Sequence, residues 1–491
     1  MTAPLRFSTM GFPSRLAEHA PMPLERPQLS PLIDFDLLRR YDGAGPRYTS
    51  YPTAPQFREG FDEEQLRRCA WRSNVQALPR HMSLYVHVPF CSSPCFYCGC
   101  NRRITRDAAQ GELYVDRVLH EVRLVAPLFD RRREVIQLHL GGGTPNFLRL
   151  PQLARLLTGL GRGFRFSDAA ERDFSIELDP RFVFDGDIAA LSQLGFNRVS
   201  LGVQDFDPSV QHAINRLQDV DRTLALIEAC RRSGMRSVNI DLIYGLPLQT
   251  AAGFLRTLDT VISARPDRVA VYGYAHLPAL FKAQRQIAAA DLPTPAARVG
   301  LLQLAVERLG AAGYRYIGMD HFALPADDLS RAQEEGHLHR NFMGYTTHAG
   351  CDLTGLGVSA ISHIGGSFSQ NHRELSKWAA AIDQGRVPVA RGLELSADDV
   401  VRADVIQQLM CHGEIDIGAI ERLHSVDFST YFSDALQRLR RVVADGLAIC
   451  EPNFIRATAR GRLLLRAIAM CFDRYLAPTQ AVPSAAFSKI L

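Results

Sequence analysis

The sequence predicts an α/β fold: a parallel sheet, closed or partly closed as a (β/α) barrel, preceded by an N-terminal strap and followed by a mainly helical C-terminal domain. The first sign is alternation. Apolar, β-branched segments at 84–88, Val135–Leu140, Phe174–Leu178, Arg198–Leu201, Ser237–Ile243 and Arg268–Tyr272 are separated by stretches of helical spacing such as Leu113–Leu128 and Thr223–Ser233. Repeated βα units of this kind form parallel sheets. The second sign is what ends each segment. A cysteine-rich loop, then Gly141-Gly142-Gly143-Thr144-Pro145, then Glu177, Gln204, Asp241 and Ala275-His276 stand at or beyond successive strands. In a parallel barrel these converge on the rim that carries the chemistry. The third is a change near 395 to charged helical text, including Ala403–Leu409 and Tyr431–Ala444, with Gly446–Ile449 and Arg456–Thr458 as a short hairpin. The domains expected are an extension over 1–30, a strap and helix over 31–80, the barrel and substrate region over 81–385 and the helical domain over 386–491.

At 491 residues with a net charge of +4, the chain is long enough for a large core, and its charge gives no reason to expect nucleic acid. Residues 1–30 are rich in proline, lack an apolar signal-like run and are expected to be mobile. No apolar run reaches membrane-spanning length. The ten cysteines form no framework of spaced pairs, which fits a reducing compartment, so a cytoplasmic protein is expected.

Along the chain, Arg40–Thr53 sets two glycines and two prolines among three tyrosines, an extended segment that fits either a packed strap or a lid. Next, LYVHVPFCSSPCFYCGCN delivers Cys91, Cys95, Cys98 and Cys100 from a buried strand into one loop. Three thiolates at CxxxCxxC spacing can each hold one corner of an iron-sulfur cluster and leave the fourth iron open. Structural zinc remains the alternative, although it normally takes two separated pairs and no second pair follows. In GGGTP, the glycines make either a sharp turn or a place where a ligand reaches backbone N–H groups. Glu177 and Asp241 are carboxylates in apolar strands, to be satisfied by a ligand's ammonium or hydroxyl groups or by Arg198 or Arg216. Beyond about 280 the strand pattern weakens, and most histidines there are expected to be surface groups.

The loop CxxxCxxC with Tyr97 before its last cysteine resembles the radical S-adenosylmethionine enzymes. Together with GPRYTSYPTA, HLGGGTPNFL, SIELDPR, FNRVSLGVQDF, NIDLIYGLP, YAHLP, GMDHFALP, LHRNFMGYTT and GRLLLRAIAMCFDRYL, it resembles the oxygen-independent coproporphyrinogen III oxidases over roughly residues 35 to 491. The resemblance implies a [4Fe-4S] cluster on Cys91, Cys95 and Cys98 and two molecules of S-adenosylmethionine. The first would lie among Tyr85, Gly141, Glu177, Ala275 and Ile361. The second would lie among Tyr97, Gly142, Gly143, Gln204, Arg216 and Asp241. It also implies oxidative decarboxylation of two propionates of coproporphyrinogen III to vinyl groups, an electron donor such as a flavodoxin-type protein, and a monomer. Tyr97 replaces a phenylalanine of the family pattern, and Gly273 replaces an asparagine.

Cys100 must stand apart from the cluster, since a fourth thiolate would leave no iron for S-adenosylmethionine. It is expected to act with Tyr97 in the catalytic set, near the substrate or the second S-adenosylmethionine. Two rivals make different predictions: a haem-carrying relative, disfavoured by Cys100 and the strap, and a zinc-containing nucleic-acid binder built on the C-terminal helices.

Overall fold

The computed structural model describes residues 37–476, apart from 38, 39, 42 and 77. The extension expected over 1–30 lies outside the described residues. Twelve strands are used below: β1 Met82–Val88, β2 Glu134–Gly142, β3 Asp173–Leu178, β4 Arg198–Gln204, β5 Ser237–Tyr244, β6 Arg268–Gly273, β7 Arg315–Gly318, β8 His321–Ala323, β9 Asp352–Leu356, β10 Ile361–Ile364, β11 Ser367–Asn371 and β12 Val389–Glu394. They lie in one sheet in the order β7-β8-β6-β5-β4-β3-β2-β1-β9-β10-β11-β12. From β6 to β9 every pairing is parallel, and antiparallel strands extend both ends. Among the described residues β7 and β12 do not pair, so the barrel is partial. Strands β1 to β6 match the predicted segments, whereas the seventh parallel strand, β9, was not among them. The flanking strands went unseen in the sequence.

Alternation along the strands separates two faces. Leu84, Val86, Leu138, Leu140, Ile176, Leu201, Ile240, Leu242 and Val269 are fully buried in the main core. Each such side chain contributes roughly 1.5–3 kcal/mol through removal from water. The other face carries Tyr85, His139, Ser175, Glu177, Ser200, Asn239 and Asp241, all only partly buried. Register sets these in a row: Tyr85 opposite Gly355 and His139, His139 opposite Ser175, Glu177 opposite Ser200, and Ser200 opposite Asn239. The site is built on this polar stripe.

The strap packs against the C-terminal part rather than across the sheet. The Tyr41 and Tyr48 hydroxyls donate to Asp445 (2.7 Å) and Asp473 (3.0 Å). The Tyr51 hydroxyl accepts from the Arg474 N–H at 3.1 Å, and the Tyr51 and Tyr475 rings lie 5.9 Å apart. The buried Arg466 guanidinium donates to the Gly45 and Pro46 carbonyls. In the C-terminal part, helix Ala397–His412 starts from a Ser396–Asp399 capping box and stops at Gly413, whose φ of 72° suits glycine. Strands Glu414–Asp416, Phe454–Ala457 and Ala448–Cys450 then form a small antiparallel sheet.

Candidate active site

The cysteine loop leaves β1 through Pro89 and is anchored by a two-residue parallel pairing of Phe90–Cys91 with Arg103–Ile104. Each of its first three cysteines has a hydrogen-bond donor of its own. Thr144 Oγ1 donates to Cys91 Sγ at 3.3 Å, Arg216 Nη1 and Arg181 Nη2 approach Cys95 Sγ at 3.5 and 3.7 Å, and the Cys100 N–H approaches Cys98 Sγ at 3.4 Å. The Arg102 guanidinium caps the Cys95 carbonyl at 2.9 Å. Burial pushes the Cys91 thiol up to about 11. Cys98 and Cys100 share a hydrogen bond that lowers the first thiol and raises the second. Among the described residues no group of three Cys, His or carboxylate side chains is drawn tightly enough together to hold a single ion. Thiols spaced along one loop, each with a separate N–H or O–H donor, fit the corners of a cluster, whose sulfurs are tuned by such donors.

The glycine motif resolves residue by residue. Gly142 has φ of 115°, and a Cβ there would lie 2.7 Å from the His87 ring. At Gly143 it would lie 2.9 Å from the Phe90 carbonyl oxygen, and the Gly143 N–H already donates to the Val88 carbonyl at 2.8 Å. These two glycines let the cysteine strand and the β2 turn meet. Gly141 faces the polar stripe instead, where a Cβ would lie 3.0 Å from Glu177 Oε1.

The Glu177 side chain, 43% exposed, accepts from the Gly142 N–H at 3.2 Å and lies 3.1 Å from His139 Nε2. The His139 ring stacks on Tyr85 at 5.9 Å, and its Nδ1 lies 2.7 Å from Ser175 Oγ. Asp241 accepts from Ser200 Oγ and Asn239 Nδ2, both at 2.9 Å. Burial, aided by the charge of Glu177, raises the Asp241 carboxyl to about 6. Among the described residues no arginine pairs with either carboxylate, contrary to one expectation. Arg198 pairs with Asp173 and Asp328, and Arg216 pairs with Asp179. The sheet face leaves these two acids open toward the cleft and gives the arginines their own partners.

Gln204 is buried with φ of 70°, next to a register shift in β4. Tyr97 packs beside the Ile214–Ile243–Tyr274 cluster. Gln284 Nε2 donates to both the Tyr97 carbonyl (2.8 Å) and the Ala275 carbonyl (3.1 Å), joining the cysteine loop to the chain after β6. Ile361 begins β10, and its backbone fills the space beside Gly355, the register partner of Tyr85. The residues assigned by resemblance are thus spread across one face, from Ile361 through Tyr85 and Glu177 to Asp241 and Ala275. The reading missed His139, Thr144, Asp179, Arg181 and Arg102, although Thr144 stands in GGGTP and both Asp179 and Arg181 stand in SIELDPR. It also expected most of the later histidines at the surface. Burial instead holds His321 down at about 3 and His339 at about 4, because the chain packs over them.

Next to Ala275 opens a cavity of about 260 Å³ whose wall includes Arg47, Arg298, Arg466, Tyr244 and Asp320. The strap therefore reaches the site through Arg47. Among the described residues no helix is long and apolar enough to cross a membrane.

The family model for the Radical SAM superfamily matches residues 85–261, and that for the HemN C-terminal domain matches 395–464. A Pseudomonas aeruginosa protein named oxygen-independent coproporphyrinogen III oxidase is 50% identical over 446 residues, covering 90% of this chain and 96% of its own. The Escherichia coli protein of the same name is 46% identical over 447 residues, with the same coverage. The solved structure of Escherichia coli coproporphyrinogen III oxidase, described as a radical SAM enzyme, superposes with a TM-score of 0.86 at 45% identity over 90% of this chain and 99% of that one. Strand order, thiol loop and similarity along nearly the whole length agree, and the chain belongs to the family of oxygen-independent coproporphyrinogen III oxidases.

Proposed function

We propose that this chain converts coproporphyrinogen III to protoporphyrinogen IX by radical oxidative decarboxylation of two propionates to vinyl groups. The observation that carries the reading is the thiol loop, with Cys91, Cys95 and Cys98 each served by its own donor, set beside a face of open carboxylates. Cys91, Cys95 and Cys98 would hold the [4Fe-4S] cluster. When bound, the cluster and S-adenosylmethionine would supply a carbon radical able to take a hydrogen atom from a propionate β-carbon; release of carbon dioxide, with one electron passing to an external acceptor, would leave the vinyl group. Tyr85, Gly141, Glu177, Ala275 and Ile361 would surround a first S-adenosylmethionine, the Glu177 carboxylate suiting its cationic and hydroxyl groups. Asp241, Gln204 and Tyr97 would receive the second. Arg216, occupied by Asp179 and Cys95, is better placed to orient the Cys95 ligand than to bind that molecule directly. Gly142 and Gly143 support the pocket by admitting the cysteine strand. Cys100, accessible from the cleft at the end of the loop, hydrogen-bonds to Cys98 within electrostatic reach of Glu177 and would serve near the substrate or the second S-adenosylmethionine rather than as a cluster ligand. The protein's task is orientation and exclusion of water.

A flavodoxin-type donor, a monomer and a cytoplasmic location complete the proposal. The last is supported by ten cysteines that are all free thiols. The barrel at 81–385 and the helical domain at 386–491 would act together, since strap and C-terminal helices close the cavity. Anaerobic incubation with reductant, S-adenosylmethionine and coproporphyrinogen III tests the whole reading. Divinyl product with one 5′-deoxyadenosine per vinyl group is expected, and intact coproporphyrinogen III beside a reduced cluster would refute it.

A further inference from the structure

The cavity beside Ala275 is strongly cationic. Arg47, Arg298 and Arg466 line it, and Arg340, only 4% exposed, acts electrostatically on both Arg47 and Arg466. Burial, then Arg47 and Arg340, push the Arg466 guanidinium down to about 9. The one carboxylate in the wall is Asp320, ion-paired with Arg47. His321 beside it is held neutral by burial and by Arg340, Arg47 and Arg268. The remaining neighbours are the phenols Tyr244, Tyr272, Tyr316 and Tyr345, with Glu177 and Asp241 farther along the face beyond Tyr272. Among the described residues, three buried donors here have no hydrogen-bond partner: Arg298 Nε, Arg340 Nε and Arg340 Nη1. Buried cations in excess, with unused donors, are costly unless an anion completes them.

We propose that Arg47, Arg298, Arg340 and Arg466 anchor the propionates that the porphyrinogen keeps during each decarboxylation, and so present the reacting propionate to the cofactor face. This rests on the oxidase reading above. The choice of retained over reacting carboxylates follows from charge. A guanidinium held on the departing carboxylate would stabilise the anion over the neutral carbon dioxide it becomes and would slow the step. A carboxylate that keeps its charge is bound equally before and during reaction, so its arginines lower KM without raising kcat. The geometry supports this placement. Ala275 belongs to the cavity wall and is tied through Gln284 to Tyr97 in the cysteine loop, so anchored groups lie one layer from the chemistry. Gly273 makes room for the set: a Cβ there would lie 3.0 Å from Arg298 Nη2 and 2.9 Å from the Tyr244 hydroxyl. Arg466, by holding the Gly45 and Pro46 carbonyls, fixes the strap that carries Arg47.

The test uses cluster-loaded, full-length protein with Arg47→Gln, Arg298→Gln and Arg340→Gln. Loss of a charge-assisted contact predicts a rise of about tenfold or more in KM for coproporphyrinogen III, with kcat within about twofold and iron content unchanged. More of the monovinyl, three-carboxylate intermediate should also escape before the second step. Fluorescence titration with coproporphyrin III and its tetramethyl ester reads anchoring without turnover. The wild-type protein should prefer the tetra-acid, and each variant should lose that preference while binding the ester unchanged. Arg298 is half-buried, so Arg298→Gln keeps the test open should Arg340→Gln not fold. Unchanged KM, a fall confined to kcat, or equal weakening of acid and ester would overturn the proposal. A wild-type preference for the tetra-acid without vinyl product would instead sink the oxidase reading and leave the anion site standing.

Discussion

Replacing Arg216 with alanine should reach both stability and the cluster. The residue is 5% exposed, with Nη1 3.0 Å from Asp179 Oδ2 and 3.5 Å from Cys95 Sγ, and Nη2 on the Gly202 carbonyl. Breaking a buried ion pair costs about 3–5 kcal/mol when the remaining charge is stranded. Asp179 is not stranded, because Arg181 holds it at 2.7 Å and the Arg181 N–H at 3.1 Å. About 2–3 kcal/mol is therefore expected from the pair, with about 1 kcal/mol more for the Gly202 carbonyl. Burial pushes the Asp179 carboxyl up, but Arg216 and Arg181 together outweigh it and hold it below the usual range. A depressed carboxylate stabilises the fold above its unfolded pKa and loses that contribution as pH falls through the folded value. The alanine variant should accordingly unfold in acid at a higher pH than the wild type. Removing the donor on Cys95 Sγ should also shift the cluster potential downward, since hydrogen bonds to the ligand sulfurs help set it. Urea unfolding of metal-free protein, iron analysis and an EPR-monitored redox titration read the three effects. Arg216→Lys should recover only part of each, because one ammonium cannot serve three acceptors in the guanidinium plane. A stability loss below about 1 kcal/mol together with an unshifted potential would refute the contact with Cys95 and the role built on it.

Serine at Cys91, Cys95 or Cys98 should strip cluster iron, whereas Cys100→Ser should retain it, because the backbone N–H of residue 100 still donates to Cys98 Sγ and a serine hydroxyl can donate where the Cys100 thiol does; lower turnover with full iron is the expected Cys100 result, and lost iron would make it a ligand. Asp241 has its folded pKa raised to about 6 by burial and Glu177, so its contribution is present below the unfolded pKa and lost as pH rises through 6. Asp241→Asn should then be more stable than wild type near pH 8, by up to about 3 kcal/mol, yet bind S-adenosylmethionine more weakly in calorimetry. The turned amide of Asn239, whose Oδ1 has no partner, can accommodate the change; a less stable variant with unchanged binding would count against the assignment. Glu121, fully buried, accepts from the Gly357 N–H (2.8 Å), Asn371 Nδ2 (2.7 Å) and Trp378 Nε1 (3.2 Å). Glu121→Ala leaves those donors unanswered and should cost at least about 3 kcal/mol in chemical unfolding, while a loss under about 1 kcal/mol would show that water replaces the carboxylate.

What the sequence determined by itself was everything that repeats locally. The apolar, β-branched character of β1 to β6 and the close spacing of Cys91, Cys95 and Cys98 are properties of short windows, so the identity of those strands and the thiol loop were legible from them. So was the helical character after 395. The antiparallel extension was not. Strand β11, SFSQN, is buried at every position although mostly polar, because its side chains answer Glu121, Ser359 and Arg391 from distant segments, and no hydropathy pattern records that. Whether the barrel closes was likewise decided by which edges met. Tertiary structure also divided the charged residues. Glu177 and Asp241 were left facing the cleft, while Arg216, equally plausible as their partner in the sequence, was drawn to Asp179 and Cys95 across 37 and 121 residues. The arginines of the cavity come from the strap at 47, the helix at 298 and the C-terminal segment at 466, with Arg340 of a short strand acting on them from nearby. Packing of distant segments brings them together against their mutual repulsion, and a site made from four remote single residues leaves no motif in any one stretch of chain.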